Sequence, residues 1–588
     1  MAVKNNLTGG TPVPLMTAIS NHTRRELDTC HRRAVLEFSP RFQLTQSPMK
    51  RLLFSCCALT IFLPLTSPAE FSKLGERLEP MVREEMREWE LGGIAIALVD
   101  DQRVIYSEGF GEAKRDSIFR VGSISKLFNA VAVMQQVEAG KLDLDAPLPP
   151  YVLPIDPFTN ALPVTLRQLL SHRSGLQREP SVGGYMDDSE PGLAATIASV
   201  SAGVLVTRPG EKTRYSNLGP SIAGHLVERA SGKSFEDYQR EHLLSPLGMS
   251  SSAWKLDRTV RKGLVVSHIR VADGRGGWKR QETPVFDLGT IPAGNLFSTT
   301  EDIARFASAM IAEGRGILKP QTLAEMWKPQ LTTDKSGFGL GFMVGKFRDH
   351  QTVSHSGAVY GHSTSLVILP GKKLAVIVLA NDDIVGGRVR RISNAALSLL
   401  LEAKFGEQAP ATPEPFTAKK LSDLAGDFES QSYWARLEIK DGQLIGNVSG
   451  QLTKFKGTDE SKFVADSFLE NETPVTFVRD DSGAVTGFTM GSQCYQRVPK
   501  NTPTLPKQWR EFLGSCGPKF VPVIITQRHG HLYAMTENMV DYRLTPVNRN
   551  VCALPPGMYI DEEVIFLTDK NGRVHSINFA NMHFPRRN

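Results

Sequence analysis

From residue 71 to 88 apolar positions recur at helical spacing. The period then drops to two in GGIAIALVDDQRVIYSEGFGEA, where two β-rich runs flank Asp100-Asp101. That pattern predicts an amphipathic helix followed by a hairpin. Helical spacing returns in IFRVGSISKLFNAV. Leu127, Val131, Met134 and Val137 share one face of a helix predicted from about Ile124 to Glu138, and Gly140 stands where a left-handed stop belongs. Residues 141–350 alternate loops with helices, among them Ile303 to Glu313, and SLVILPGKKLAVIVLAND reads as a second hairpin turning at Pro370-Gly371. Strands at both ends with helices between them predict an α/β (α+β) domain over 70–405 whose two ends pair in one sheet.

At FGEQAPATPEPFTAKK the texture changes. Proline, alanine and threonine dominate, and residues 406–420 read as a linker. Beyond it, short alternating segments separated by turn residues predict an all-β region. This region repeats itself: Phe477, Asp480, Gly483, Val485 and Arg497 recur as Phe566, Asp569, Gly572, Val574 and Arg586, each 89 positions on. Gly442-Gln443-Leu444 answers Gly530-His531-Leu532 at an offset of 88. Five matches at one offset predict two copies of a β-module, 421–499 and 507–588, each long enough to close a small antiparallel, lipocalin-like barrel.

Composition adds exclusions. At 588 residues the chain is too long for one domain, and its net charge of +6 is small for so large a surface. No basic stripe interleaves with aromatics, so no nucleic-acid partner is expected. Lys50-Arg51 precede the apolar run LLFSCCALTIFLPL, and Ser67-Pro68-Ala69 follows. This is the order of a signal peptide over 49–69, cleaved after Ala69, and the run is too short to span a bilayer. Residues 1–48 are then an unassigned extension, either a long lead or the consequence of a true start at Met49. A periplasmic or secreted protein is expected, touching a membrane only through an uncleaved signal segment. Cys494, Cys516 and Cys552 would remain, an odd number that permits one disulfide in an oxidising compartment and leaves one thiol. Their spacing fits no zinc site, and neither a metal nor a cofactor is expected.

The candidate chemistry starts from Ser123 and Lys126, one helical turn apart. Ser-x-x-Lys also occurs at Ser47/Lys50 and Ser252/Lys255, so context must choose. Three further stretches supply it: RYSNLGPSIAGHLVERASGKSFEDYQREHLLSPLGM, with Tyr215 and Asn217 at the mouth of a helix; QLLSHRSGL; and VSHSGAVYGHSTSLVILP, with His355-Ser356-Gly357 on a strand. Each has a plain alternative: Tyr215 as a packed aromatic, Asn217 as a helix N-cap, His355 as a satisfied strand histidine. A serine hydroxyl needs a base within hydrogen-bond reach to act as a nucleophile. A partly desolvated lysine at a helix N-terminus gives up its proton more readily than one at the surface. A phenol beside that cation is expected to shift towards phenolate. Were Tyr215 to lie close to Lys126, the two would form a pair able to relay one proton from Ser123 to a leaving group, and the sequence leaves open which member is the base.

With FRVGSISKLFNAVAVMQQVEAGKLDLDAPL, LRQLLSHRSGL, AGNLFSTTEDIARFASAM and SHSGAVYGHSTSLVILPGKKLAVIVLAND, these stretches cover roughly residues 75–400. In that order the chain resembles the serine hydrolases related to class C β-lactamases, a group that includes DD-peptidases, D-aminopeptidases and esterases. The resemblance implies an antiparallel sheet flanked by helices, a helical lobe, and a site between the two. It makes Ser123, Lys126 and Tyr215 catalytic, and it gives Asn217 the orientation of Lys126 and of a substrate amide. His355, Ser356, Gly357 and Ala358 become a substrate-binding strand, with the backbone N–H groups of Ser123 and Ala358 as an oxyanion hole. His355 stands where the group's β-lactamases carry lysine, a departure more typical of peptidases acting on D-amino acids. As a carboxylate binder it would have to be protonated or a neutral donor. The expected partner is a small-molecule or peptide substrate, cell-wall material among the sources; the competing expectation is a penicillin-recognising sensor with weak or no turnover. The two tail modules read as gates, spacers or partner surfaces.

Overall fold

The computed structural model describes residues 68–149, 163–200, 205–272, 278–331, 336–410, 416 and 421–587. The expected extension (1–48) and the expected signal segment up to residue 67 lie outside the described residues, as do residues 411–415 and 417–420 of the expected linker. Thr66–Asn588 forms a single compact unit.

The helix Pro68–Trp89 leads into the hairpin Gly93–Asp100 and Arg103–Gly111. Seven antiparallel strands then make one sheet in the order Arg103–Gly111, Gly93–Asp100, Leu374–Ala380, His362–Leu369, His350–Val359, Met343–Phe347, Gly337–Phe338. The two ends of the domain therefore meet inside the sheet, as its second and third strands, Ile94 opposite Ala380 and Leu98 opposite Val376. Successive side chains of GIAIALVD point to opposite faces, yet all are buried, because both faces are covered. Ile94, Ile96 and Leu98 join Leu74, Leu78 and Val82 of the first helix and Val389, Ile392 and Leu400 of the helix Gly386–Phe405. Ala95, Ala97 and Val99 join the helical lobe, in which Leu127, Val131 and Met134 are buried and Val137 packs at the edge. The helix Thr300–Ile311 begins three residues before its expected start because Thr299 caps it, its Oγ1 accepting from Asp302 N at 3.2 Å.

The β-region is two modules. Eight strands from Gly426–Glu429 to Gln493–Arg497 close into a barrel around Phe428, Phe455, Phe477 and Phe488. In the second, four strands and five strands form separate sheets joined by a bridge between Cys516 and Arg586. The strand pairing ends at Pro546, which has no ladder N–H, and residues 554–562 run outside the sheets, with Pro556 O accepting from Ser432 of the first barrel and Ile560 O from Arg214 of the catalytic domain. The repeated residues do the same work in both copies. Asp480 Oδ1 accepts from Ser482 N and Ala484 N while Gly483 turns at φ +83°. Asp569 Oδ1 accepts from Asn571 N and Arg573 N while Gly572 turns at φ +79°. Arg497 ties the strand end to Asp423 O and Ala425 O, and Arg586 ties its own to Glu511 O and Leu513 O.

No disulfide joins Cys494, Cys516 and Cys552, so the bridge that an oxidising compartment would permit is not formed. The three sit on strands of three different sheets, with Cys494 in the first barrel and the other two apart in the second module.

Candidate active site

Ser123 lies in a one-turn 3₁₀ segment, Gly122–Ile124, that feeds the helix Ser125–Glu138. Ser125 fixes this turn, its Oγ donating to Gly122 O at 2.6 Å and accepting from Leu296 N at 3.1 Å. Gly122 adopts φ +54°, and a Cβ there would stand 3.0 Å from Ala358 N. Gly357 is confined more tightly still, since a Cβ on it would stand 2.1 Å from Val121 O. Only glycines allow the strand His350–Val359 to press its Gly357-Ala358 backbone against the Ser123 turn.

The helix carrying Lys126 is buried on nearly every side, and Lys126 is itself 2% exposed. As an ammonium its Nζ donates to Ser123 Oγ at 3.0 Å, Asn217 Oδ1 at 2.7 Å and Ala293 O at 2.7 Å. Burial drives its pKa well below the usual lysine range, helped by the Arg178 cation and opposed by Glu179. Tyr215 OH donates to Ser123 Oγ at 2.8 Å, and its ring stacks on His172 with centroids 4.2 Å apart. The expected drift of Tyr215 towards phenolate is reversed: burial pushes the phenol up to about 12, outweighing the Ser123 hydrogen bond and Arg178. The ring is too enclosed for the nearby cations to offset the cost of a buried anion.

Asn217 opens the helix Leu218–Ser231, but its side chain makes no capping bond. Its Oδ1 instead accepts from Lys126 Nζ, and its Nδ2 donates to Glu179 Oε1 at 2.5 Å. Sequence reasoning missed Glu179. It is fully buried, its Oε2 accepts from Tyr185 N at 3.2 Å, and burial raises its carboxyl to about 7 against the pull of Arg178 and Asn217. The carbonyl of Ala293 was missed as well, since a backbone acceptor leaves no trace in residue type.

His355 is 3% exposed, with its ring centroid 6.3 Å from that of Tyr215. Its Nδ1 donates to Ser356 O at 2.6 Å and its Nε2 has no partner. Burial, then the Lys126 charge, bring it down to about 4. The imidazole is therefore neutral near pH 7, with its Nε2 lone pair buried and unpartnered. It is neither the protonated nor the donor form that carboxylate binding would need, because its one N–H is already committed. Ser356 is exposed and enters the arrangement through its carbonyl. Ser123, Asn217, Ala293 and Ala358 line a narrow cleft with Tyr185, Leu288 and Val359.

The other described Ser-x-x-Lys match is excluded by its partners. Ser252 Oγ donates to Asp302 Oδ2 at 2.8 Å, while Lys255 turns to Glu236 at 3.0 Å. Ser47 and Lys50 lie outside the described residues.

The second β-module packs against the segments that build this region. Leu288 and Val359 of the cleft share an apolar cluster with Phe512, Val523 and Phe566 of the module. Arg214, next to Tyr215, pairs with Glu562 at 2.5 Å, and the same Glu562 Oε1 accepts from Arg178 N at 2.9 Å. Asn581 donates to Gln177 Oε1 at 3.0 Å.

Residues 78–399 match the Beta-lactamase family. Penicillin-binding protein 4 of Amycolatopsis lactamdurans is 27% identical over 340 residues, 54% of this chain and 85% of that protein. An unguisins hydrolase of Aspergillus campestris is 25% identical over 335 residues, 52% of this chain and 62% of that protein. The structure of an octameric penicillin-binding protein homologue from Pyrococcus abyssi superposes with a TM-score of 0.52 at 25% identity, covering 71% of this chain and 99% of that one. A serine hydrogen-bonded to a desolvated lysine and a neutral tyrosine, set in a fold shared with these proteins, places the chain in the β-lactamase family, among its serine hydrolases.

Proposed function

We propose that the protein is an exported hydrolase that forms an acyl-enzyme on Ser123, taking amides and peptides with D-residues in preference to esters and β-lactams. One observation carries the reading: Ser123 Oγ is held between Lys126 Nζ at 3.0 Å and Tyr215 OH at 2.8 Å. Burial favours neutral forms of both partners, which assigns the base to Lys126. Deprotonated Lys126 takes the Ser123 proton as Oγ bonds to the substrate carbonyl carbon. The carbonyl oxygen gains the negative charge between the N–H groups of Ser123 and Ala358. Collapse breaks the bond to the leaving group, which takes the Tyr215 proton, and Lys126 restores that proton to Tyr215. Water then repeats the sequence on the acyl-enzyme, its proton passing to Lys126 and the acid leaving from Oγ. Each donor to the oxyanion contributes about 10²–10³ in rate.

The substrate preference rests on His355. With no proton to spare, it supplies no fixed cation for the carboxylate of a β-lactam. The packing of the second module against the cleft supports a role for that module in limiting substrate size. Export rests on the Lys50-Arg51, Leu52–Leu65 and Ser67-Pro68-Ala69 order. No helix among the described residues is long and apolar enough to cross a membrane.

A panel of a D-amino acid amide, a D-Ala-D-Ala peptide, a short ester and a chromogenic β-lactam tests the reading with 70–588 protein. Turnover of the amide or peptide above the others, lost in Ser123→Ala, is expected. An acyl-enzyme that forms and persists with every member would make the protein a sensor instead.

A further inference from the structure

A cavity of about 430 Å³ opens at the mouth of the first barrel, walled on one side by residues 538–557 of the second module. It shares no lining residue with the Ser123 cleft and is of the size that holds a small organic ligand. Glu470 is the only carboxylate among the residues lining it, with no lysine, arginine or histidine, and Tyr433, Tyr495 and Tyr542 surround the cavity. These rings are held in place. Tyr433 and Tyr542 lie 5.8 Å apart at 48°, and Tyr495 is backed by Phe488 stacked at 4.4 Å. The loop bearing Glu470 is clamped to the helix Gly386–Phe405, for Glu470 O accepts from Arg388, whose own charge is met by Asp466 at 3.1 Å and Glu85 at 3.4 Å.

The second observation is Gln451, which lines the same cavity and is 9% exposed. Its Nε2 donates to Met539 O at 3.2 Å, which fixes the amide and leaves Oε1 a buried acceptor without a partner. An orphaned buried acceptor is costly, and one kept in a cavity wall calls for a donor from a ligand.

We propose that this cavity binds a protonated primary or secondary amine carrying an apolar or aromatic body. A carboxylate and an unpartnered amide oxygen both take N–H, and tyrosine faces attract a cation. An anion would meet Glu470 with no cation in the wall to offset it, and a quaternary ammonium has no N–H for Gln451. Because residues of both modules form the wall, an occupant also fastens one module to the other.

Titration of the full chain with phenethylammonium, followed by calorimetry, tests this, with 4-bromophenethylammonium located by anomalous diffraction. Saturable binding is expected, with bromine density between Tyr433 and Tyr542. Glu470→Gln should weaken binding about tenfold or more, phenylacetate should not compete, and Gln451→Leu gives an independent reading should Glu470→Gln lose its fold. Absence of binding, bromine confined to the Ser123 cleft, affinity unchanged in both variants, or equal binding of phenylacetate would overturn the proposal.

Discussion

Arg214 and Glu562 form an ion pair of 2.5 Å with side chains 2% and 3% exposed, linking the residue before Tyr215 to the second β-module. Arg214 also donates to Ile560 O and Leu176 O, and Glu562 Oε1 accepts from Arg178 N. One carboxylate thus holds two groups that set the site: the Arg214 side chain, beside Tyr215, and the Arg178 backbone N–H, beside Glu179. Removing one partner of a buried pair costs about 3–5 kcal/mol, because the other charge stays buried and unpaired, whereas replacing both with apolar groups is often neutral. Glu562→Ala is expected to lose that stability and most of kcat, and Arg214→Met/Glu562→Leu to regain much of the stability. Urea unfolding measures both, and equal losses in the single and double variants would contradict the role given to the pair.

Lys126 is assigned the base and Tyr215 the proton donor. Lys126→Arg keeps the charge but presents a group that does not deprotonate in a protein. It should lose activity as fully as Lys126→Ala. Tyr215→Phe should lower kcat about 10²–10⁴-fold while acyl transfer to Ser123 still occurs slowly. Active-site titration with an activated ester separates the steps, and substantial turnover by Lys126→Arg would refute the assignment.

Glu179, raised to about 7, makes stability depend on pH. Between its unfolded value near 4.5 and about 7, the unfolded chain has released this proton and the folded one has not. Folded protein therefore binds more protons in that window, and its stability falls as pH rises. Glu179→Gln lacks this loss, so its urea midpoint should gain on that of the wild type from pH 4.5 to 7 and run parallel above. A constant difference across the window would mean that Glu179 ionises normally.

Gly122 is where a single methyl should damage the chemistry and spare most of the fold. At φ +54° an alanine costs about 1–2 kcal/mol, and its Cβ would displace Ala358 N from 3.0 Å. Gly122→Ala is expected to lower kcat about 10²-fold or more with near-native circular dichroism, in keeping with loss of one oxyanion donor. Unchanged kcat would remove Ala358 from that role.

What sequence reveals here is what local spacing and pairing control. Apolar runs give the central strands, alternation and turn glycines give the β-modules, and the turn-wide separation of Ser123 and Lys126 gives a pattern that two other pairs share, so that only the surrounding stretches and the resemblance they carry select it. Tyr215 and Asn217, each with a plain alternative when taken singly, gain their roles from the order of the motifs and the resemblance it carries. Glu179 and the Ala293 carbonyl escape because their importance arises from burial beside Lys126 and Asn217, which joins segments far apart in the chain. The same holds for the Tyr215 phenol and the His355 ring, whose protonation follows from enclosure rather than from neighbours along the sequence. The Arg214–Glu562 pair spans two modules, and no periodicity records it.

The most direct test is intact mass of the protein during reaction with an activated ester, followed by peptide mapping. The account predicts one acyl group, on Ser123, forming quickly in the wild type, slowly in Tyr215→Phe and not at all in Lys126→Ala or Ser123→Ala. Unmodified protein that nonetheless turns the ester over, or an adduct on any other residue, would contradict it.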